Sequence, residues 1–431
     1  MKSKSLVKFS VDEVLEYHRN NPPYHGKISV VSKTPLKNVK DLSLAYTPGV
    51  AEPCKIIAKD PEKVWEYTAR QNMVAVVTDG TAILGLGDIG PEAGLPVMEG
   101  KCVLFKMLAG VDAFPICIKS KDPDKVLETT KLLEPSFGGI NLEDIAAPNC
   151  FYIEERLKKE MSIPIFHDDQ HGTAVVFGAA LINALKIVGK KIDEIKVAFN
   201  GAGAGGIACT KFLIAMGAKD LILCDTKGVI YEGRKEGMNP YKDEIAKVTN
   251  REGIVGKLSD SIKGADVFVG LSVGKVVTKE MVRSMADDAV VFAMANPVPE
   301  IMPEYALEAG AKIVATGRSD YPNQINNVLG FPGIFRGALD VKATDINEAM
   351  KVAAAEAIAS LVKEEELNEE YIIVNPLHPE VFPVEASAVA KAATDSGVAK
   401  IKVDPAWVEE HCRKLRKLNE RWTQEKPSFT Y

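Results

Sequence analysis

The chain has 431 residues, a formal net charge of −6 and no long block of like charge. A chain of this length holds roughly two or three domains and can bury large cores without disulfides. The acidic balance argues against nucleic acid or an anionic membrane as the main partner. We find no signal peptide and no apolar run long enough to span a membrane. The seven cysteines form no C-x-x-C pair and so favour a reducing, cytoplasmic location.

Residues 1–160 have the pattern of an α/β domain. Residues 73–87, "MVAVVTDGTAILGLG", contain two β-rich runs around Asp79-Gly80, which predicts a hairpin. Residues 96–110 predict a helix with a proline near its start and a glycine at its end. Strands are predicted at 113–118 and 138–145, with a helix between them and another after.

From residue 161 onward, short apolar strands alternate with helices. A strand at 163–166 precedes a helix at 172–189 that is apolar nearly all round and should be buried. Five strands follow, "KVAFN", "LILCD", "DVFVGLS", "AVVFAMA" and "KIVATG". This alternation predicts a Rossmann-type, doubly wound parallel sheet over 161–395. Residues 396–431 should form a C-terminal helical tail.

The motif "GAGAGG" follows the first of these strands and opens a helix. Gly201 would allow the tight turn, Gly203 the approach of a pyrophosphate, and Gly206 the packing of helix on strand. Asp225 ends the next strand, where a carboxylate accepts hydrogen bonds from the adenosine ribose. The loop therefore predicts a dinucleotide site, and its other members are Ala202, Ala204 and Gly205.

A second match to G-x-G-x-x-G, "GLGDIG" at 85–90, is interpreted as a decoy. It ends the predicted hairpin and runs directly into Pro91, with Pro96 soon after. We therefore expect no helix to start there, and a dinucleotide site needs one.

The stretch "FHDDQHGTA" at 166–174 concentrates potential metal ligands. His167 and His171 would suit zinc only on one helix face and with a third ligand, whereas Gly172 suggests that the helix is only starting there. Adjacent aspartates, Asp168 and Asp169, better suit a hard cation such as Mg²⁺ or Mn²⁺. A polar turn without a ligand is the alternative.

A second acidic pair, Glu143 and Asp144, lies in or at the end of an apolar strand. In a regular strand the two side chains point to opposite faces. Both could reach one ion only where a bulge or the strand end redirects the chain. The alternative is one acid in solvent and one in an ion pair.

Two further residues have both a functional and a structural interpretation. Lys101 lies on the apolar stripe of the helix predicted at 96–110, where it could snorkel outward or, if desolvated, act as a general base with a lowered pKa. Tyr46 precedes the turn at Pro48-Gly49, which would hold a phenol in place. On its own it reads as a core tyrosine.

Together these stretches resemble malic enzyme, and the similarity is to the short, two-domain prokaryotic form. The motifs "SLAYTPGVA", "VVTDGTAILGLGDIG", "PVMEGKCVLFK", "INLEDI", "FHDDQHGTA", "GAGAGG", "ANPVPE" and "QINN" occur in the order that the family has them. The resemblance implies oxidative decarboxylation of (S)-malate to pyruvate and CO₂ with NAD(P)⁺ and Mg²⁺ or Mn²⁺.

The resemblance also implies roles for individual residues. Tyr46 would be the general acid and Lys101 the general base, and Asp168 would tune Lys101 or the metal. The metal ligands would be Glu143, Asp144 and Asp169, while the histidines would not bind the ion. Asn296 would contact cofactor and substrate, and Asn327 the substrate.

One position departs from the family. Larger members have an arginine before "ILGLGD" that binds a malate carboxylate, and Ala82 stands there in this chain. What holds the C4 carboxylate is left open, with backbone amides, metal-side groups and another subunit as the alternatives. We expect a homodimer or higher homo-oligomer.

The sequence leaves alternatives open for the preferred coenzyme and for the reaction. NAD is favoured because Asp225 should repel a 2′-phosphate, although Lys227 and Arg234 could offset that repulsion. Malolactic enzyme, which releases lactate, is the nearest alternative function. A metal-independent two-domain dehydrogenase, such as an amino-acid dehydrogenase, and a non-catalytic nucleotide sensor are the others.

Overall fold

The computed structural model describes residues 9–19, 25–83 and 85–424. Its first part is a four-stranded parallel sheet in the order β2-β1-β3-β4. The strands are β1 (Met73–Thr78), β2 (Asp112–Cys117), β3 (Gly139–Leu142) and β4 (Ile165–His167). Its helices are α1 (Val11–Arg19), α2 (Val39–Ala45), α3 (Ala51–Lys59), α4 (Val64–Tyr67), α5 (Pro91–Ala109), α6 (Pro123–Leu132) and α7 (Asn149–Glu160).

The second part is a six-stranded sheet in the order β10-β9-β8-β5-β6-β7, parallel except for β7. The strands are β5 (Lys196–Asn200), β6 (Asp220–Asp225), β7 (Gly228–Val229), β8 (Val267–Gly270), β9 (Val290–Ala293) and β10 (Ile313–Thr316). The five predicted strands are present, and this strand order confirms the predicted Rossmann-type sheet. Its helices are α8 (Asp168–Val188), α9 (Ala204–Ala215), α10 (Pro240–Ala246), α11 (Leu258–Ser261), α12 (Lys279–Arg283), α13 (Pro303–Glu308), α14 (Phe331–Asp340), α15 (Glu348–Ser360), α16 (Val381–Asp395) and α17 (Pro405–Gln424).

The predicted hairpin at Asp79-Gly80 is wrong. Strand β1 lies between β2 and β3 and pairs with both in parallel, so it has no edge for an antiparallel partner. The chain turns instead at Gly80, where φ is +73° and a Cβ would lie 2.3 Å from the backbone of Gly90. An isolated bridge between Ile83 and Gly87 follows.

The expectation that no helix starts after "GLGDIG" is also wrong. Helix α5 begins at Pro91, and Gly90 with φ of +88° is its N-cap. Proline is tolerated at the first helical position because the N–H that it lacks has no partner there. Pro96 lies inside the helix. The interpretation of this loop as a decoy stays a prediction, without its helix argument.

Helix α8 connects the two sheets. It begins at Asp168, four residues before the predicted start, and ends at Gly189 in the left-handed conformation. It is the one described helix whose length and composition would suit a bilayer, and 67% of its most apolar window is buried inside the protein. That burial identifies it as a core helix.

The boundary predicted at residue 160 does not coincide with the end of the first sheet. Strand β4 lies beyond it and pairs with β3. A shared core also joins the two parts, since Phe105 of α5 makes edge-to-face contacts with Phe331 and Phe335 of α14.

The C-terminal tail packs against the first part of the chain. Helix α17 places Leu415 against Gly110, and Asn419 donates a hydrogen bond of 2.7 Å to the carbonyl of Lys106. The tail predicted for 396–431 is helical from Pro405 to Gln424, and residues 425–431 lie outside the described part.

The segment 28–56 has no buried core of its own. Helices α2 and α3 bury no residue. The exposed apolar side chains include Val30, Val31, Leu36, Val39, Leu42 and Leu44. A run of this kind is typical of a surface that another protein covers.

Candidate active site

Three carboxylates converge where strands β3 and β4 end side by side. Glu143 and Asp144 follow β3, and Asp169 lies in the first turn of α8 directly after β4. Asp144 has φ of +53°, a left-handed conformation that aspartate tolerates. Because the chain turns there, the two consecutive acids no longer alternate as in a strand. One oxygen of each acid lies within 4.8 Å of the others.

Hydrogen bonds from the neighbouring chain hold this cluster. The backbone N–H of Asp144 donates to Asp169 Oδ2 at 2.8 Å, and Asn141 Nδ2 donates to Glu143 Oε2 at 2.9 Å. Burial raises the pKa of Glu143 and of Asp169, and their mutual repulsion adds to it for Glu143. Two buried carboxylates and one half-buried carboxylate form an oxygen donor set that suits a hard divalent cation, so the residues present fit Mg²⁺ or Mn²⁺.

Lys101 lies beside the cluster and points inward. Its Nζ is 2.6 Å from Asp168 Oδ2 and 3.0 Å from Glu143 Oε1, and 4.3 Å from the ring centre of Phe331. Burial lowers its pKa, but Asp168 and Glu143 outweigh that effect and raise the pKa above its usual value. The expected lowering by burial alone is therefore wrong for this arrangement, because both carboxylates stabilise the ammonium form.

Asp168 joins Lys101 to a third residue. Asn327 Nδ2 donates a hydrogen bond of 2.6 Å to the same Oδ2 atom, and burial raises the pKa of Asp168 to about 7. The side chain folds back over its own helix, where a Cβ at position 172 would lie 1.9 Å from Oδ1. Gly172 is thus needed for this rotamer of Asp168.

The histidines of "HDDQH" lie outside the acidic cluster. Because α8 starts at Asp168, the next turn carries Gln170 and His171 to another face, where both hydrogen-bond to Glu154 at 2.8–3.0 Å. Lys351 Nζ lies 3.1 Å from His171 Nδ1. His167 is fully buried at the end of β4. Neither described histidine is a member of the cluster.

A cavity of about 480 Å³ opens onto these residues. Lys101, Glu143, Asp144, Asp169 and Asn327 line it, as do the following residues: His18, Lys27, Ala82, Pro96, Val97, Gly100 and Leu104. The sequence pattern gave no indication of His18 or Lys27. Their segment is placed there by a contact distant in sequence, from the backbone N–H of Lys27 to Glu99 Oε2 at 3.0 Å.

Tyr46 is not brought into this cavity. It follows α2, stands before the cis peptide bond Thr47-Pro48, and its side chain is 68% exposed. It is therefore not the core tyrosine of the structural interpretation. Within one chain, Lys101, the proposed base, lines the cavity, whereas Tyr46, the proposed acid, does not.

The glycine-rich loop has the conformation that a dinucleotide site needs. Gly201 has φ of +121°, and a Cβ there would lie 2.7 Å from the carbonyl of Leu271. A Cβ at Gly206 would lie 2.0 Å from the Gly201 carbonyl, whereas Gly203 has open space beside it. A Cβ at Gly205 would lie 3.5 Å from the carbonyl oxygen of Asp169, so the loop adjoins the acidic cluster.

Asp225 ends β6 as predicted, but its carboxylate is already paired. Arg234 donates to both oxygens, at 2.9 and 2.5 Å, and Lys242 Nζ lies 2.6 Å from Oδ2. Burial raises its pKa, but these cations outweigh burial and lower the pKa to about 2. A free carboxylate facing the ribose, on which the expected NAD preference depended, is not what the structure contains.

Asn296 follows β9 at the carboxyl edge of the second sheet. Its side chain is exposed and packs on Gly317, where a Cβ would lie 2.5 Å from Nδ2. The peptide bond to Pro297 is cis. Asn296 thus lies at the carboxyl edge of the second sheet and does not line the 480 Å³ cavity.

The fold and the site together indicate the class of enzyme. A substrate domain with a buried acidic cluster precedes a Rossmann-type domain whose glycine-rich loop adjoins that cluster, and the molecule is an α/β dehydrogenase of two domains. The sequence matches the family profiles "Malic enzyme, N-terminal domain" over residues 25–158 and "Malic enzyme, NAD binding domain" over residues 170–395.

Similar proteins and a solved structure agree with these family profiles. The bifunctional malic/malolactic enzyme of Bacillus subtilis (strain 168) is 63% identical over 409 residues, which is 95% of this chain and 99% of that relative. The NAD-dependent malic enzyme of Geobacillus stearothermophilus is 58% identical over 375 residues, 87% of this chain and 78% of that relative. The crystal structure of malic enzyme from Pyrococcus horikoshii Ot3 superposes with a TM-score of 0.93 at 54% identity, covering 95% of this chain and 96% of that one.

The chain therefore belongs to the malic enzyme family of NAD(P)-dependent oxidoreductases, which confirms the resemblance.

Proposed function

We propose that this protein oxidises and decarboxylates (S)-malate to pyruvate and CO₂ while reducing NAD(P)⁺. The observation that carries the proposal is the buried cluster of Glu143, Asp144 and Asp169 with Lys101 hydrogen-bonded at its edge. The cluster adjoins the glycine-rich loop that would hold the coenzyme. Hydride transfer needs the substrate carbon beside the nicotinamide, and this adjacency supports it.

Glu143, Asp144 and Asp169 would hold the divalent cation. Mg²⁺ or Mn²⁺ supplies Lewis-acid stabilisation for the negative charge that develops on the C2 oxygen of the substrate. The three residues are anchored by Asn141 and by the backbone of Asp144, so the cluster is preorganised rather than assembled on binding.

Lys101 would take the proton of the C2 hydroxyl, with Asp168 as its partner. The carboxylates of Glu143 and Asp168 stabilise the ammonium form of Lys101. A divalent cation bound beside Lys101 would disfavour that form. Asp168 Oδ2 lies 2.6 Å from Lys101 Nζ and accepts from Asn327 as well. Asn327 would thereby orient the pair and contact the substrate from the cavity wall.

Tyr46 would protonate C3, and we propose that it reaches the site from a second copy of the chain. The support is that Tyr46 is exposed and does not line the cavity of its own chain. The segment 28–56 that carries it leaves an apolar surface in solvent. A symmetric dimer that exchanges these segments would bury that surface and complete both sites.

Both NAD and NADP should serve as coenzyme, which revises the expected preference for NAD. The loop Gly201–Gly206 and helix α9 would bind the pyrophosphate, and Asn296 would contact the nicotinamide side. Near the ribose, Asp225 carries two cations, so the local charge is positive rather than negative. A 2′-phosphate is then attracted to Lys242 and Arg234.

The reducing compartment expected from the sequence is retained as a proposal. All seven cysteines are free, and Cys102, Cys150, Cys209, Cys224 and Cys412 are buried. Free buried thiols are typical of cytoplasmic proteins.

A malolactic activity is the second candidate, favoured by the 63% identity to a bifunctional malic/malolactic enzyme. One assay separates the alternatives. Malate is supplied with each coenzyme, with and without Mn²⁺, while NAD(P)H, pyruvate and lactate are followed. We expect pyruvate and reduced coenzyme in equal amounts, and only with the metal. Lactate without net reduced coenzyme would identify the malolactic reaction, and turnover without metal a different dehydrogenase.

A further inference from the structure

Two residues from the N-terminal segment line the same cavity as the acidic cluster. Lys27 and His18 share it with Lys101, Asp144 and Asn327. Neither is assigned a role by the proposed reaction. Of the two, Lys27 carries the ammonium group that could pair with an anionic ligand.

The ammonium of Lys27 is anchored by hydrogen bonds, and the Glu99 carboxylate lies near enough to favour its charged form. Its Nζ donates to the carbonyl of Pro96 at 2.6 Å and lies 3.2 Å from His18 Nε2. Among the described residues no carboxylate forms an ion pair with it. An ammonium has three N–H donors, so the Pro96 carbonyl and the His18 ring leave one for a ligand. Burial lowers the pKa of Lys27, and an anionic ligand would restore it.

Lys101 cannot supply this charge to the substrate. Its Nζ forms ion pairs with both Glu143 and Asp168, and the two negative charges of these carboxylates outweigh its single positive charge. Glu143, Asp144, Asp168 and Asp169 carry four negative charges, whereas Lys101 and a divalent cation would carry three positive ones, so the acidic side of the cavity would stay negative. Malate brings two negative charges of its own, so its second carboxylate needs another cation.

Ala82 also lines the cavity. Its backbone N–H donates to the carbonyl of Asp144 at 3.0 Å, and its side chain is a single methyl group. The small side chain leaves room in the cavity for a longer side chain from another segment. Lys27 reaches the same cavity from the N-terminal segment.

We propose that Lys27 binds the C4 carboxylate of malate and so selects 2-hydroxy acids that carry a second carboxylate. This inference rests on the proposed function, in which the C1 carboxylate and C2 oxygen face the acidic cluster. The C4 carboxylate leaves as CO₂, so its partner must hold it without trapping it. A lysine ammonium, a point charge at the cavity wall, does this better than a bidentate arginine.

The test compares two ligands that differ by the C4 carboxylate. Oxalate chelates a divalent cation through two carboxylates but has no group at the C4 position. In Lys27→Met we expect KM for malate to rise by roughly tenfold or more, because a charge-assisted hydrogen bond is lost. We expect kcat, the inhibition constant of oxalate and the Kd of coenzyme to change by about twofold at most, since they do not involve that contact. Lys27→Arg should recover most of the affinity for malate.

Lys125→Met is the control, because Lys125 is an exposed lysine of α6 that neither lines the cavity nor belongs to the segment 28–56. It should leave both ligands unaffected. An unchanged KM for malate in Lys27→Met would overturn the inference. So would an equal loss of malate and oxalate, which indicates that Lys27 only holds the N-terminal segment in place.

The failure of the proposed function would look different. Wild-type protein would then neither turn over malate nor bind it by calorimetry with Mn²⁺ present, and both proposals would fall together. Wild-type turnover with an insensitive Lys27→Met variant would remove this inference alone.

Discussion

The Nζ atom of Lys101 lies 2.6 Å from Oδ2 of Asp168, so this ion pair joins helix α5 to the start of helix α8. Helix α8 connects the two sheets, so the proposed catalytic centre depends on how the two parts of the chain pack together. The shared phenylalanine core beneath it, with Phe105 against Phe331, fixes that packing.

Lys101→Ala should block malate oxidation while leaving coenzyme binding unchanged. Loss of a general base costs about 10²–10⁴ in rate, and the glycine-rich loop does not contact Lys101. The measurement pairs kcat for malate with the Kd for NAD⁺ and NADP⁺ by fluorescence titration. A wild-type rate would reduce Lys101 to a packing residue.

Asp169→Asn should weaken Mn²⁺ binding by roughly tenfold or more, because a charged ligand is replaced by a neutral one. His171→Gln is the control, since His171 lies outside the cluster and pairs with Glu154. Its Mn²⁺ affinity should stay within about threefold of wild type. The affinities are read by titration of the resting protein, without turnover. If His171→Gln lost Mn²⁺ affinity and Asp169→Asn kept it, the metal site would be formed by histidine instead of by carboxylates.

Mixing two inactive variants tests where Tyr46 acts. Tyr46→Phe and Lys101→Ala are each expected to be nearly inactive as homodimers. After dissociation and reassociation in equal amounts, random pairing should restore about a quarter of wild-type activity, because one site in each heterodimer is then intact. If Tyr46 served its own chain, both sites of the heterodimer would be defective and the mixture would remain inactive.

Lys242→Gln should reduce kcat/KM for NADP by about tenfold more than for NAD, since the lost cation would face a 2′-phosphate. Lys227 makes a suitable control, because its ammonium pairs with Glu236 in an exposed position. Lys227→Gln should change the coenzyme ratio by about twofold at most. Equal losses for both coenzymes in Lys242→Gln would show that Lys242 only holds Asp225 in place.

Glu385 should make the protein less stable as the pH rises. Its side chain is fully buried, neither oxygen has a hydrogen-bond partner among the described residues, and burial raises its pKa well above 4.5. Glu385 has a higher pKa in the folded protein than in the unfolded chain. Its contribution to the free energy of unfolding is therefore fully present below the unfolded-state pKa and is lost as the pH rises toward the folded-state pKa. The expected slope is about 1.4 kcal/mol per pH unit.

Denaturant titrations from about pH 5 to about pH 8 check this dependence. Glu385→Gln should remove most of the slope and be the more stable protein at the alkaline end. The exposed Glu364→Gln should leave the slope as in wild type. Identical slopes in all three proteins would mean that Glu385 is ionised or solvated when folded.

Local patterns in the sequence determined the elements and most of the chemistry. Five apolar strands alternating with helices specify a parallel sheet, and the glycines of "GAGAGG" specify its nucleotide loop, because each requirement acts within a few residues. The ordered motifs likewise named Glu143, Asp144 and Asp169, which the structure then brings within 4.8 Å of one another.

Tertiary structure decided everything that depends on what a residue meets across the fold. Asp79-Gly80 signals a hairpin, but β1 is a central strand with parallel neighbours and has no free edge. Lys101 on an apolar stripe reads as a lysine with a lowered pKa, yet two carboxylates from other elements raise it. Asp225 reads as a ribose acceptor until Arg234 and Lys242 fold over it. Lys27 enters the cavity through contacts with Glu99 and Pro96, some 70 residues away, and no local pattern encodes a contact at that separation.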